Sequence, residues 1–231
     1  MSTNQISRVT RSKQKARLSY NRMSRWYDLF AGSSEQKFMN YGISQLKPQP
    51  GEKILEIGCG TGHGLISLAR SVEQLGKVFG LDISEGMLSQ SKALIRKSNF
   101  RGSIYLQLGD GCRLPYSPNC FSAVLLSFTL ELFETSEISL VIAECRRVLT
   151  QDGRIVIVCL NKQESIPVHI YEWFHKYMPS FVDCRPINVQ PYLLQESFTI
   201  SNASIQKMWG LPVEIVTAIT SKDQIKAKNE S

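Results

Sequence analysis

The chain has 231 residues, 42% of them hydrophobic, and a net charge of +7 at pH 7. This length suits one α/β domain with a full core, and the composition excludes a largely disordered protein. The chain has no run of roughly 20 apolar residues, as a transmembrane helix requires, and no signal-peptide core, so we expect a cytoplasmic protein.

The positive charge is concentrated at the N-terminus. Residues 1–27 hold seven basic residues and no acidic one, so the rest of the chain carries 20 of each sign. Two interpretations stay open for this arm: a solvated leader, or a segment held near anionic lipid or another polyanion. No basic patch with interleaved aromatic residues follows it, so nucleic-acid binding is not expected.

Apolar runs alternate with stretches of helical period along the chain. Buried strands are predicted at 53–58, 77–82, 103–110, 121–128 and 154–160. Helices are predicted between them, at 63–72, after an N-cap at Ser84, and at 137–149. The last helix is expected to end where Gly153 supplies turn freedom. Residues 204–219 are typical of a hairpin joined by Gly210, Leu211 and Pro212.

Strands separated by helices of this length indicate a parallel, doubly wound sheet. The expected fold is therefore α/β: a Rossmann-like, mostly parallel sheet of seven strands that includes an antiparallel C-terminal hairpin. We expect residues 1–30 to form a basic arm and a covering helix. Residues 31–231 would form a single domain, with 161–190 as a lid-like insertion.

The stretch "LEIGCGTGHG" (55–64) places four glycines in seven positions between the first strand and the first helix. Such a turn lies at the carboxyl edge of the sheet, where folds of this kind bind ligands. Glycines remove Cβ atoms, so a ligand can lie against the backbone near the helix N-terminus. Alone, the turn suits a dinucleotide and another nucleoside equally well.

Three carboxylates at the ends of consecutive strands narrow that choice. Asp82 can accept hydrogen bonds from ribose hydroxyls, and Asp110 can accept one from an adenine amine. Glu56 can orient the glycine turn or reach an ammonium group of the ligand. Together they suit a nucleoside that carries positive charge better than one that carries pyrophosphate. The GxGxG spacing also disfavours an NAD-dependent oxidoreductase.

Four ordered segments resemble the motifs of class I S-adenosylmethionine-dependent methyltransferases: "ILEIGCGTG", "VFGLDIS", "LGDGCRLPYSPNCFSAVLLSF" and "CRRVLTQDGRIVIV". The chain is most similar to the small-molecule branch that includes the ubiquinone/menaquinone C-methyltransferases. It departs from that group in lacking a Lys-Pro-Gly turn before the fifth strand, a Glu-x-Ser after it, and an Arg-Asn pair after the fourth strand.

The resemblance implies S-adenosyl-L-methionine as cofactor. The glycines would line its methionine and ribose portion, Ile83 would pack on the adenine, and Ser127 would lie near the sulfonium. Tyr27 belongs to "YNRMSRWYDLF" (20–30), which resembles the family's cofactor-covering helix. The implied contacts are Tyr27, Glu56, Gly58, Cys59, Gly60, Gly62, Asp82, Ile83, Met87, Asp110, Gly111, Cys112 and Ser127.

Methyl transfer needs alignment of the acceptor and exclusion of water, and it needs a general base only if the acceptor must lose a proton early. Candidate bases are His63, Glu131 and His169. His63 is also explained by a local partner at the helix N-terminus. His169 and His175 fall on different helical faces, so a metal pair is not expected. The six cysteines form no CxxC pair, which favours free thiols.

The insertion at 166–187 is dense in aromatic residues, which suits either a helix packed on the core or a lid over an apolar acceptor. We expect a small, apolar or amphipathic acceptor and a monomer or homodimer. Two alternatives stay open. One is a phospholipid or quinone methyltransferase at the membrane surface, which the basic arm would assist. The other is a cofactor-binding subunit without catalytic activity.

Overall fold

The computed structural model describes residues 32–100, 102–163 and 185–220. The strands in these ranges are β1 (Lys53–Ile57), β2 (Lys77–Asp82), β3 (Ser103–Leu108), β4 (Phe121–Ser127), β5 (Leu149–Leu160), β6 (Phe198–Met208) and β7 (Leu211–Thr220). The helices are α1 (Gly32–Leu46), α2 (His63–Val72), α3 (Glu85–Lys97), α4 (Thr135–Val148) and α5 (Gln190–Gln195), with a 3₁₀ turn at Leu130–Leu132. None of these helices is long and apolar enough to cross a membrane.

The strands of the described ranges form one sheet in the order β3-β2-β1-β4-β5-β7-β6. The pairs from β3 through β5 are parallel, whereas β7 runs antiparallel to both β5 and β6. The prediction of a doubly wound sheet of seven strands with an antiparallel C-terminal hairpin is confirmed. Because β1 pairs with both β2 and β4, the strand order reverses at β1, and ligands of such sheets bind at that point.

Helices cover both faces of the sheet because alternate strand residues point to opposite sides. On one face, Ile54 of β1 belongs to a buried cluster that includes Phe38 of α1 and Leu65 of α2. On the other face, Leu55 packs in a cluster that includes Val141 of α4. The glycine turn and the strand ends are therefore carried on a sheet buried from both sides.

Two helix starts depend on identifiable side chains. Ser84 caps α3 as predicted, because its Oγ accepts a hydrogen bond from the Met87 N–H at 3.1 Å. Helix α4 begins at Thr135, two residues earlier than predicted, because Glu134 and Glu137 form a reciprocal capping box there. The prediction located both helices, but α4 starts two residues and ends one residue earlier than predicted.

The prediction that Gly153 supplies the turn before β5 is wrong. Strand β5 begins at Leu149, directly after α4, and its register against β4 shifts between Phe121 and Ala123. Asp152, with φ 65°, takes the left-handed conformation instead. Aspartate tolerates this region better than most residues do, so the irregularity needs no glycine.

The prediction omitted the first six residues of the C-terminal hairpin and placed its turn too late in the chain. β6 begins at Phe198, and the turn consists of Trp209 and Gly210, at φ 51° and 86°. Leu211 and Pro212 already belong to β7. β6 is an edge strand with many exposed positions, so it needs no apolar alternation of the kind that marks a buried strand.

Arg154 of β5 ties several elements together at the end of the sheet opposite the glycine turn. Its guanidinium donates to both carboxylate oxygens of Glu52 at 2.7 Å, and to the carbonyls of Leu46 and Lys47 at 2.5 and 2.9 Å. The two side chains are only 19% and 16% exposed. This bidentate pair joins the C-terminus of α1 to the entry of β1 and to β5.

Candidate functional site

The glycine turn after β1 requires residues that adopt positive φ. Gly58, Gly60 and Gly62 have φ angles of 70°, 51° and 91°. The N–H of Gly58 donates to the Leu81 carbonyl at 2.7 Å, which attaches the start of the turn to the end of β2. The turn then leads into α2, for which Gly62 is the N-cap. Side chains with a Cβ rarely adopt this backbone.

The three glycines differ in what surrounds them. A Cβ on Gly58 would lie 2.3 Å from the Thr129 side chain, and a Cβ on Gly62 would lie 2.3 Å from Ser91 Oγ. A Cβ on Gly60 would have no atom of the described residues within 4 Å. Gly58 and Gly62 are therefore needed for packing, whereas Gly60 faces space that no described residue occupies, in which a ligand can lie against the backbone.

Asp82, at the end of β2, is hydrogen-bonded to the backbone of the glycine turn. Its Oδ2 accepts from the Gly60 N–H at 2.9 Å, and its Oδ1 accepts from the Ser84 N–H at 2.8 Å. Burial raises the pKa of this carboxyl, and the backbone donors oppose that rise. The Ile83 N–H is a third backbone donor to this carboxylate, which has about four acceptor positions and can therefore still accept from a further donor, such as a hydroxyl. Nearby, Met87 is buried and Ile83 is half-buried.

Glu56 of β1 lies beneath the turn, against α2. A Cβ on Gly64 would lie 2.2 Å from Glu56 Oε1, so the glycine makes room for the carboxyl group. Oε2 is buried and has no hydrogen-bond partner among the described residues. Burial, followed by the charge of Asp82, raises the pKa of Glu56 to about 8. The unpartnered oxygen fits a donor supplied by a ligand, such as an ammonium group. Cys59, which follows Gly58 in the glycine turn, is also buried.

The loop after β3 is held next to the end of β2. The Gly109 N–H donates to the Asp82 carbonyl at 3.0 Å, and Asp110 Oδ1 accepts from the Cys112 N–H at 2.9 Å. A Cβ on Gly111 would lie 2.9 Å from the Phe133 ring. Asp82 and Asp110 are therefore at the ends of neighbouring strands, as the sequence predicted.

Helix α4 holds the rest of that loop. Arg147 donates from Nε and Nη2 to the two carboxylate oxygens of Glu144 at 2.6 and 2.8 Å, and to the carbonyls of Tyr116 and Leu114 at 2.7 and 3.0 Å. The Leu114 N–H donates in turn to Glu144. The loop that follows Asp110 is thus fastened at both ends.

The end of β4 reaches the glycine turn through Thr129. Ser127, half-buried, is the last residue of β4, and its carbonyl accepts from Thr129 Oγ1 at 2.9 Å. The same hydroxyl lies 3.5 Å from the Gly58 carbonyl, a contact across 71 residues. Neither Thr129 nor Phe133 could be predicted from the sequence, because no local signal marks a contact of such range.

The described catalytic candidates occupy different surroundings. His63 Nδ1 lies 3.3 Å from Gln36 Nε2 of α1, a partner that the sequence analysis did not identify. Glu131, in the 3₁₀ turn, is fully buried, and its Oε1 accepts from the Leu160 N–H at 3.3 Å. Tyr27 and His169 lie outside the described residues.

The expected insertion leaves and re-enters the fold at the carboxyl end of β5. Asn161 forms a parallel bridge with Ile187, the Ile187 N–H donates to the Leu160 carbonyl at 2.9 Å, and the Lys162 N–H donates to the Ile187 carbonyl at 3.1 Å. Residues 164–184, with all the aromatic residues of the insertion, lie outside the described ranges. The two ends of the insertion are therefore fixed at the sheet edge that carries the glycine turn.

The family described as "Methyltransferase domain" matches residues 54–153. A demethylmenaquinone methyltransferase of Lactobacillus johnsonii is 33% identical over 152 residues, which cover 65% of this chain and 61% of that protein. One from Staphylococcus epidermidis is 30% identical over 207 residues, covering 86% of this chain and 83% of that protein.

Among solved structures, the chain is similar to the magnesium protoporphyrin IX methyltransferase of Synechocystis PCC 6803 with bound SAH, at a TM-score of 0.72 and 18% identity. The similarity covers 91% of this chain and all (100%) of that one. At this identity it supports the fold. The family match contains β1 through the start of β5, and with it the glycine turn and its three carboxylates.

Proposed function

Since the chain belongs to the class I S-adenosylmethionine-dependent methyltransferase family, we propose that it transfers a methyl group from S-adenosyl-L-methionine to a small acceptor. The observation that carries this proposal is the open face of Gly60 beside the Asp82 carboxylate. The unpartnered Oε2 of Glu56 beneath the same turn adds to it. When bound, the cofactor supplies a methyl group activated by an adjacent sulfonium.

In this proposal the residues of the chain bind and orient. Asp82 accepts hydrogen bonds from the ribose hydroxyls, and Glu56 accepts one from the ammonium group. Asp110 holds the adenine edge. Because Asp82 is already bonded to the backbone of Gly60, its carboxylate and the open face of the turn are pre-positioned relative to each other. Such preorganisation would align the methyl group without a residue that reacts covalently.

For the acceptor, we propose a reduced naphthoquinone of the demethylmenaquinone type. The support is the similarity to two demethylmenaquinone methyltransferases, at 33% and 30% identity. Such an acceptor has an apolar, prenylated part and a hydroxylated aromatic ring. In reduced form its ring is electron-rich, which a methyl acceptor requires.

We also propose that residues 1–30 form a basic arm and covering helix on a single domain, and that the arm contacts anionic membrane. Seven basic residues without an acidic one, in residues 1–27, support this contact. It would bring the site to an acceptor dissolved in lipid. Co-sedimentation with phosphatidylserine vesicles should fall steeply as salt is raised, because the attraction is screened. Vesicle binding that does not change with salt concentration would contradict the proposal.

The cofactor site is tested by titration calorimetry with S-adenosylmethionine and S-adenosylhomocysteine. Asp82→Ala should weaken binding by about 1.5–3 kcal/mol, the range for losing a charged hydrogen-bond partner. Ser84→Ala is the matched control, because it removes the cap of α3 and leaves the carboxylate. It should cost about 1 kcal/mol of stability with little change in affinity. No heat with either ligand would contradict the proposal.

The acceptor is tested with S-adenosylmethionine deuterated in its methyl group. A dithionite-reduced 1,4-naphthoquinol with a short prenyl chain should gain the label, as detected by mass spectrometry. Phosphatidylethanolamine vesicles serve as the second substrate. Label in the lipid alone would favour the phospholipid alternative. Cofactor binding without label in either would leave the cofactor site standing and refute the acceptor.

A further inference from the structure

Glu131 is a buried carboxyl to which cofactor binding assigns no role. It is 0% exposed, and its Oε1 accepts from the Leu160 N–H at 3.3 Å. Its Oε2 is buried and has no hydrogen-bond partner in the part of the chain that the structure describes. Burying a carboxyl oxygen without a donor costs free energy, so such a group in a folded protein calls for a functional explanation.

Glu131 lies in the segment between β4 and α4, which contacts both the glycine turn and the end of β5. Two residues before it, the side chain of Thr129 contacts Gly58, and two residues after it, the ring of Phe133 contacts Gly111. Both contacts border the cofactor site proposed above. The bond to Leu160 places the carboxyl at the last residue of β5. Glu131 is therefore at the ligand-binding edge of the sheet, on the β5 side of the glycine turn.

Two charged groups face this carboxyl: Glu35 of α1, and Arg185, which precedes α5. Burial is the main cause that raises the pKa of Glu131, to about 8, and Glu35 of α1 adds to the rise. The backbone donors and Arg185 oppose it. Arg185 is itself buried and donates to Thr135 Oγ1 at 2.9 Å and to the Phe133 carbonyl at 2.5 Å. On β5, burial and then Glu131 raise the pKa of the Cys159 thiol.

Building on the function proposed above, we propose that Glu131 is the general base that takes the hydroxyl proton of an aromatic acceptor. The acceptor O–H bond breaks, and its proton bonds to Glu131 Oε2. The electron pair released from that bond, delocalised over the ring, forms the new bond to the methyl carbon. The sulfur–methyl bond breaks and its pair stays on sulfur. The carboxylate and the sulfonium are neutralised together, so no net charge is created.

The surroundings of Glu131 suit this role. A carboxylate removed from water holds a proton more tightly than one in solvent, so its ionised form is a stronger base. Arg185 limits the rise in pKa, so that an ionised fraction persists near neutral pH. The unpartnered Oε2 is the atom free to receive the proton, because Oε1 is engaged by the Leu160 N–H.

The first experiment compares the pH dependence of kcat with the reduced naphthoquinol for three proteins. In the wild type, kcat should rise with pH about a midpoint near pH 8 and reach a plateau above it, as Glu131 ionises. Glu131→Gln keeps the size and an acceptor for Leu160, and should lower kcat by about 10²- to 10⁴-fold and abolish the rise. Glu35→Gln is the matched control, because it should keep the plateau and shift the midpoint to lower pH.

Calorimetry with S-adenosylhomocysteine and thermal melting check that Glu131→Gln is folded and binds cofactor product as the wild type does. A Glu131→Gln variant that binds the cofactor product and keeps both the wild-type plateau and the pH rise would overturn the assignment. So would a loss of activity that matches a loss of folded protein, with an unchanged pH profile in the remainder.

The second experiment separates this inference from the proposed acceptor. Binding of 1-naphthol, in the presence of S-adenosylhomocysteine, does not depend on turnover. The wild type should bind it about 10- to 150-fold more tightly than Glu131→Gln above pH 8, as for a hydrogen bond to a carboxylate. No naphthol binding by the wild type, or equal binding by both proteins, would overturn the role of Glu131. Naphthol binding without methylation of the quinol would refute only the acceptor.

Discussion

Substituting Gly60 by alanine tests whether the open face of the glycine turn is where the cofactor lies. Gly60 has φ 51°, and a Cβ there would meet no atom of the described residues within 4 Å. Gly51, in the turn before β1, is a matched control. It has φ 84°, is exposed, and likewise has no described atom within 4 Å of its Cβ. Both substitutions therefore impose a similar backbone strain, but only one adds a methyl group at the site.

The expected magnitudes differ between stability and affinity. An alanine in left-handed backbone costs about 1–2 kcal/mol. For a chain of this length, 1 kcal/mol lowers Tm by about 2–4 °C, so each variant should melt about 2–8 °C below the wild type. At Gly60 the methyl group also occupies ligand space. Overpacking of this kind costs about 1–3 kcal/mol, which corresponds to about 5- to 150-fold weaker binding.

The assay is differential scanning calorimetry of both variants, followed by isothermal titration with S-adenosylhomocysteine below the melting range. Gly60→Ala should lose both stability and affinity, and Gly51→Ala should lose stability alone. If folded Gly60→Ala binds the ligand as tightly as Gly51→Ala does, the open face does not contact the cofactor, and the assignment of the site to this turn is refuted.

Three further predictions concern stability. Because the native pKa of Glu56 is about 8 against an ordinary 4.5, the folded state binds more protons between these values, so stability should fall as pH rises from about 4.5 to 8. Glu56→Gln should reduce that slope in urea titrations at several pH values and leave the part that Glu131 contributes, and an unchanged slope would contradict the burial of the Glu56 carboxyl. Arg154→Met should lose about 1.5–3 kcal/mol by urea unfolding, because it removes the charged hydrogen bonds to Glu52, which keeps the Gln49 N–H as a donor; a loss below about 0.5 kcal/mol would refute the importance of that pair. Gly58→Ala should cost more than Gly60→Ala, since its Cβ meets Thr129, and adding Thr129→Ala should recover part of the loss. Additive effects in that double-mutant cycle would exclude the contact.

Much of the fold could be predicted because its signals are local. Predominantly apolar runs marked β1, β4 and β5, and their spacing by helices implied a parallel sheet. The first six residues of the edge strand β6 were not predicted, since its many exposed positions show no apolar periodicity. The turn before β5 was assigned to Gly153 because glycine is the usual left-handed residue, yet Asp152 adopts that conformation.

The candidate cofactor site could also be predicted in outline. Residues at the carboxyl ends of consecutive parallel strands must share one sheet edge, which brings Asp82 and Asp110 to the glycine turn. What the prediction lacked was the role of each glycine. Gly58 and Gly62 are required by contacts with Thr129 and Ser91, and only the packed structure distinguishes them from Gly60.

By itself, the amino-acid sequence determined the order of the strands, the three helices between them, the glycine turn, and the carboxylates around it. All of these follow from period, backbone preference and chain order. Only the tertiary structure decided which carboxyl groups are buried with an unpartnered oxygen, and that Glu131 meets the end of β5. Burial, and the pKa it raises, depends on which distant elements cover a side chain, and no local pattern encodes contacts of that range.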